Sequence, residues 1–291
     1  VSLLRILWGY FKKVVIADRL AVFVDAVYSA PSEQGGWLCL LATVFFAVQI
    51  YCDFSGYCDI AIGVARIMGF RLMTNFNRPY LAATIQEFWD RWHISLSSWL
   101  QDYIYIPLGG NRVPRWRYLL NVLLVFIISG IWHGAGMTFL LWGLLHGLLV
   151  VGHRLIWGKK KRQFCLPVRW LMRLITFALV CAAWVFFRAE TVGDAFTVFF
   201  HMTSYSSLRE LIFSPQSPLY QCGLNGAELV VSLVSIGLLF ALEWRGERIL
   251  LSCPKWAAPV RWGVYLILIF VCIILGVYGA NTVTQFIYFQ F

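Results

Sequence analysis

The sequence predicts an all-α fold, a polytopic transmembrane helical bundle with re-entrant or interfacial helices, on three observations. The chain of 291 residues is 60% hydrophobic and only 13% charged, against about 25% charged in soluble domains. Its apolar residues gather into segments close to the roughly 20 residues that a bilayer requires. Its basic residues gather between those segments, as they do in cytoplasmic loops. The last pattern accounts for the net charge of +10 without nucleic acid, and makes the lipid bilayer the surroundings of the chain.

In chain order, residues 1–29 mix Leu4, Leu7, Trp8, Phe11, Val15 and Leu20 with Arg5, Lys12, Lys13 and Arg19, which predicts a helix lying at the membrane interface. Spans are predicted at 37–53, 118–134, 137–157, 169–187, 227–244 and 262–280, with a weaker one at 56–73 that carries Asp59 and Arg66. Residues 74–112 are too polar to span and too aromatic for a free loop. Thr84 and Glu87 form a capping box that starts a helix there, and Pro107, Gly109 and Gly110 end it. Wound at about 3.6 residues per turn, Trp89, His93, Leu96, Leu100 and Ile104 share one face, which turns His93 inward. Thr191 with Asp194, and Asn225 with Glu228, mark two further helix starts. The whole, 1–291, reads as a single membrane domain.

Orientation follows from the basic loops. Lys159, Lys160, Lys161, Arg162, Arg169 and Arg173 place one loop inside, and Arg245, Arg248, Lys255 and Arg261 place another. Arg112, Arg115 and Arg117 mark a third in the same alternating topology, which leaves 188–226 and the C-terminal tail outside. None of the eight cysteines forms a CxxC pair, so no disulfide framework or metal site is expected.

The residue that points to chemistry is His133. It sits in a run from Tyr118 to His153 without Asp, Glu, Lys or Arg, flanked by Trp132, Gly134 and Gly136. An ionisable ring at membrane depth costs free energy unless it lines a cavity or finds partners, and so marks a site. Counted from Arg117, His133 lies about 24 Å along a helix at about 1.5 Å per residue, in the outer half of the bilayer. Gly130, Gly134 and Gly136 permit close packing or a helix break there. His133 and His93 are the catalytic candidates; Trp132, Asn121, Asp53, Arg78 and Arg91 are the substrate-binding candidates. Gln49, Asp53, Ser55 and Asp59 read better as an internal network than as a substrate patch. Arg78, Arg91, Arg112 and Arg115 suit donor phosphates, but each alone is also an ordinary inner-face anchor. His146 reads as a helix-packing hydrogen-bond donor.

YCDFSGYCDIAIGVARIMGF at 51–70, NFNRPY at 75–80, FWDRWHISLSSWLQDYIYIPLGGNR at 88–112 and SGIWHGAGMTFLLWGLLHG at 129–147 resemble the membrane-bound O-acyltransferase family, in its bacterial polysaccharide branch of alginate O-acetyltransferase type. The resemblance implies that His133 corresponds to the essential histidine of the family and His93 to the second histidine of the branch. For the acyl transfer it implies, an imidazole suits removal of the hydroxyl proton at neutral pH, and the oxyanion donor is open among His93, backbone N–H groups near Gly134 and Gly136, and Asn121. It implies no tightly bound cofactor, with acetyl-coenzyme A or an acyl-carrier thioester as a cytoplasmic donor. It implies a multi-pass protein of the bacterial inner membrane that passes the acyl group to a periplasmic SGNH-like partner or a polysaccharide acceptor. Family members are usually longer, so the chain reads as the C-terminal part of one. D-alanyl transfer of teichoic acid type is the alternative within the enzyme class. A transporter or a scaffold is the alternative outside it, although neither histidine block recurs as a repeat would require.

Overall fold

The computed structural model describes residues 1–158, 164–203, 217–245 and 255–278, which form helices and turns with no strand among them. The basic residues expected at 159–162 and Arg248 lie outside the described residues, as does the closing FIYFQF sequence. Six helices are long and apolar enough to cross a membrane. The chain divides into two compact units, Val1–Met73 with Phe196–Phe291, and Thr74–Ala195.

In the first unit, α1 (Ser2–Tyr10), a π-helical stretch (Phe11–Ala17) and α2 (Asp18–Ser29) follow one another without a break and pack along α3 (Gly36–Ile67). Leu4, Leu7, Phe11, Val15, Leu20, Val24 and Val27 are buried, so this run is a core element and not the interfacial helix that its mixed composition predicts. The charges responsible for that expectation turn inward. Arg5 pairs with Asp59 at 2.9 Å, Lys12 reaches Asp59 at 2.5 Å and Ser55 at 2.9 Å, and Lys13 bridges Asp53 at 2.5 Å and Asp18 at 2.9 Å. Arg19 meets Glu228. A π-turn is wider than an α-turn, and within it the adjacent Lys12 and Lys13 both reach α3. Lys13 loses some basicity to burial, but Asp53 and Asp18 more than restore it and raise its pKa.

The predicted spans at 37–53 and 56–73 are corrected by the same pairing. They are one helix of 32 residues, roughly 48 Å long at about 1.5 Å per residue. Asp53 and Asp59 looked like an interruption only because their cations come from a distant part of the sequence. Gly56 is tolerated because α1 crosses there: a Cβ on it would come within 2.8 Å of the Gly9 carbonyl oxygen. The C-terminal spans are α11 (Gly226–Arg245) and α12 (Ala258–Leu275), after α9 (Val192–His201) and the short α10 (Pro218–Gln221). The predicted cap of α11 is present, the Glu228 N–H donating to Asn225 Oδ1 at 2.9 Å.

The second unit holds α4 (Ile85–Trp89), α5 (Ile94–Leu100), a π-turn (Gln101–Tyr105), α6 (Arg115–His133), α7 (Met137–Trp157) and α8 (Leu166–Arg188). Its spans match the predicted ones to within a few residues. Helices α6 and α7 form an antiparallel hairpin whose backbones touch. A Cβ on Gly130 would overlap the Phe139 carbonyl oxygen, and one on Gly143 the Phe126 carbonyl oxygen. Small residues bring apolar helices close enough for backbone contact where lipid supplies no hydrophobic drive between them.

Asp59→Asn leaves Arg5 and Lys12, 5% and 3% exposed, with too little negative charge. Breaking a buried pair from one side costs about 3–5 kcal/mol, so the variant should melt well below the parent in detergent; an unchanged melting curve would show that the pairs are water-screened.

Candidate active site

His133 is the last residue of α6, and the extended Gly134 lets the chain leave the helix and re-enter α7 at Met137. Its ring is half-buried and walled by aromatics: Trp132 at 4.9 Å, Trp142 at 5.1 Å and Phe187 at 5.3 Å between ring centroids, all edge-on. Trp132 is 55% exposed and also lies edge-on to His93, at 6.2 Å. The structure therefore brings together His133, Trp132 and His93.

His93 is placed differently from the sequence expectation. The capping box at Thr84 forms, with the Glu87 N–H donating to Thr84 Oγ1 at 3.1 Å, but the helix it starts ends at Trp89. His93 is not on a continuous helical face. It caps α5 in a left-handed backbone conformation, φ 44°, which a non-glycine residue holds only when its surroundings enforce it. The enforcement comes from the segment NFNRPY. The Asn75 carbonyl accepts from Ile94 N–H and its side chain from Ser95 N–H, both at 3.0 Å, and the Asn77 N–H donates to the Arg91 carbonyl at 3.0 Å. The turn is clamped on both sides of His93. Its Nδ1 accepts from the Leu96 N–H at 3.4 Å, which puts the proton of the neutral ring on Nε2. Burial lowers its pKa to about 4.

The other substrate-binding candidates have local tasks. Asn121 is buried, and its amide donates to the Leu108 and Gly110 carbonyls at 3.0 and 3.4 Å, so it fastens the turn before α6 and has spent its donors. Arg91 pairs with Glu87 and donates to the Arg78 carbonyl, and the Arg78 Nε donates to Asn77 at 3.3 Å. Asp53 belongs to the first unit and is held by Lys13. Among the described residues no group of three or more His, Cys, Asp or Glu side chains gathers as a metal site would require. Sequence reasoning missed Trp142, which is fully buried between His133 and His146. Its position four residues before His146, on the same helix face, was the available signal.

The sequence profile of the membrane-bound O-acyltransferase family matches residues 1–192. A protein named "Probable alginate O-acetylase AlgI" from Pseudomonas putida is 38% identical over 306 residues, 99% of this chain and 60% of the relative. The peptidoglycan O-acetyltransferase of Helicobacter pylori is 47% identical over 191 residues, 65% of this chain and 36% of the relative. The teichoic acid D-alanyltransferase of Bacillus subtilis is 33% identical over 165 residues, 52% of this chain and 41% of the relative. The chain thus spans 60% or less of the length of each of these three.

His93 should remain neutral across the physiological range. A group whose folded pKa is depressed to about 4 from about 6.5 binds fewer protons folded than unfolded between those values, so its contribution to stability is lost as pH falls through that window. Ring-nitrogen NMR of selectively labelled protein in detergent should show no titration of His93 above about pH 5; a midpoint near the ordinary value would mean that the ring is solvated.

Proposed function

This chain belongs to the membrane-bound O-acyltransferase family, and we propose that its His93–Trp132–His133 site transfers an acetyl group from a thioester to a hydroxyl. The observation that carries this reading is the placement of His133 at a glycine break, half-buried beside an exposed tryptophan that also meets a second imidazole, His93. Acyl transfer needs a base at the attacking hydroxyl and a donor at the developing oxyanion. His133 takes the proton as the hydroxyl oxygen bonds to the thioester carbonyl carbon. The carbon–sulfur bond then breaks, and the same proton passes from His133 to the departing thiolate. His93, with its proton on Nε2, is the donor to the oxyanion.

The donor is acetyl-coenzyme A or an acetylated carrier protein, presented from the cytoplasm. His133 stands toward the outer leaflet of a bacterial inner membrane, and the acetyl group leaves there for a periplasmic SGNH-like partner or a glycan hydroxyl. Acetyl transfer to an exported or cell-wall polysaccharide is favoured over D-alanyl transfer by the coverage of 99% of the chain in the alginate O-acetylase match, against 52% in the D-alanyltransferase match.

His133→Ala in the full-length protein, expressed with its neighbouring export components, should lower O-acetyl ester on the exported glycan by about 10²- to 10⁴-fold, the usual worth of a general base. Equal ester at equal protein level removes His133 from the chemistry.

A further inference from the structure

We propose that His146 and Trp89 are positioning residues that set the separation of His93 from His133, a role that rests on the acyl-transfer reading of those two histidines. His146 lies in the middle of α7 with no exposed surface. Its Nδ1 accepts a hydrogen bond from Trp89 Nε1 at 3.3 Å, so the ring proton sits on Nε2. That Nε2 is buried and has no hydrogen-bond partner among the described residues. Leaving a donor in this state costs about 1–3 kcal/mol, and an apolar side chain of similar bulk would fill the space without it. Packing alone does not account for an imidazole here. The acceptor at Nδ1 does.

What that acceptor holds is the approach to His93. Trp89 is the last residue of α4, and His93 follows four residues later at the left-handed turn. Two turns further along α7, Arg154 donates to Gln86 Oε1 at 3.3 and 3.1 Å, but around Trp89 itself the remaining side-chain contacts are aromatic. Phe88 stacks on Trp92 at 5.5 Å, Trp92 meets Trp184 at 5.1 Å, and Trp89 meets Phe126 at 5.0 Å. Ring faces tolerate sliding, whereas an N–H···N bond has one length and one direction. On the other side, Trp142 lies edge-on between the two imidazoles of the hairpin, 5.0 Å from His146 and 5.1 Å from His133. Beside the direct contact of Trp132 with His93, one hydrogen bond and one shared ring thus form a second link from the segment that carries His93 to the helix end that carries His133. The sequence reading of His146 as a packing donor is reversed, since its engaged nitrogen is an acceptor.

The test uses the full-length chain and compares Trp89→Phe, His146→Leu, the double variant and His146→Gln, reading the initial rate of ester appearance per folded protein and the melting temperature. A misplacement of about 1 Å costs on the order of 10²-fold in rate, so Trp89→Phe and His146→Leu should each lose about tenfold or more. The double variant buries neither N–H and should melt at least as high as the parent while staying slow. His146→Gln, whose amide oxygen can accept from Trp89, should recover to within about threefold of the parent, an order of magnitude above His146→Leu. A double variant with parental rate, or leucine performing as well as glutamine, would overturn the proposal. Full activity in Trp89→Phe alongside an inactive His133→Ala would remove the positioning role alone, and an active His133→Ala would remove the acyl-transfer reading beneath it.

Discussion

The backbone contact of α6 with α7 at Gly130 and Gly143 is the constraint on which the candidate site depends. In lipid, apolar side chains gain little by meeting one another, so helix pairs are held by close packing and by polar groups that find partners. The glycine contact draws the hairpin together and leaves Gly134 and Gly136 to turn the chain at its tip. His133 is then exposed at one edge and walled elsewhere by Trp132, Trp142 and Phe187. A ring buried further down α6 would have no access to a substrate. One placed beyond Gly134 would have no wall.

The first unit meets the same constraint with charge. Four cations on the opening helical run find carboxylates on α2, α3 and α11, so that polar residues in an apolar region become internal bonds. Replacing such pairs by apolar residues is often no less stable, which makes register a better account of them than strength. With Arg5 and Lys12 on Asp59 and Lys13 on Asp53, α1 and its π-turn have one alignment along α3.

Much of this architecture was legible in the sequence, because span length and capping chemistry are local properties. The boundaries of α6, α7 and α8, the caps at Thr84 and Asn225, and the glycine break after His133 all follow from residues within a few positions of one another. Properties that depend on distant partners were not legible. The inward turn of Arg5, Lys12 and Lys13 needed carboxylates some 40 or more residues away, and the same charges read equally well as headgroup contacts. The left-handed turn at His93 needed Asn75 and Asn77 to enforce it, while helical periodicity through Trp89, Leu96 and Leu100 argued for continuity. The acceptor role of His146 needed Trp89 on another helix.

The clamped turn at His93 bears on how substitutions there are interpreted. Because the residue holds φ 44°, alanine at this position would alter two things together, the chemistry of the ring and the tension stored in the main chain. Asparagine, which enters the left-handed region more readily than most residues, would take away the imidazole while sparing the loop. The difference in behaviour between those two replacements separates what the nitrogen contributes from what the bend contributes.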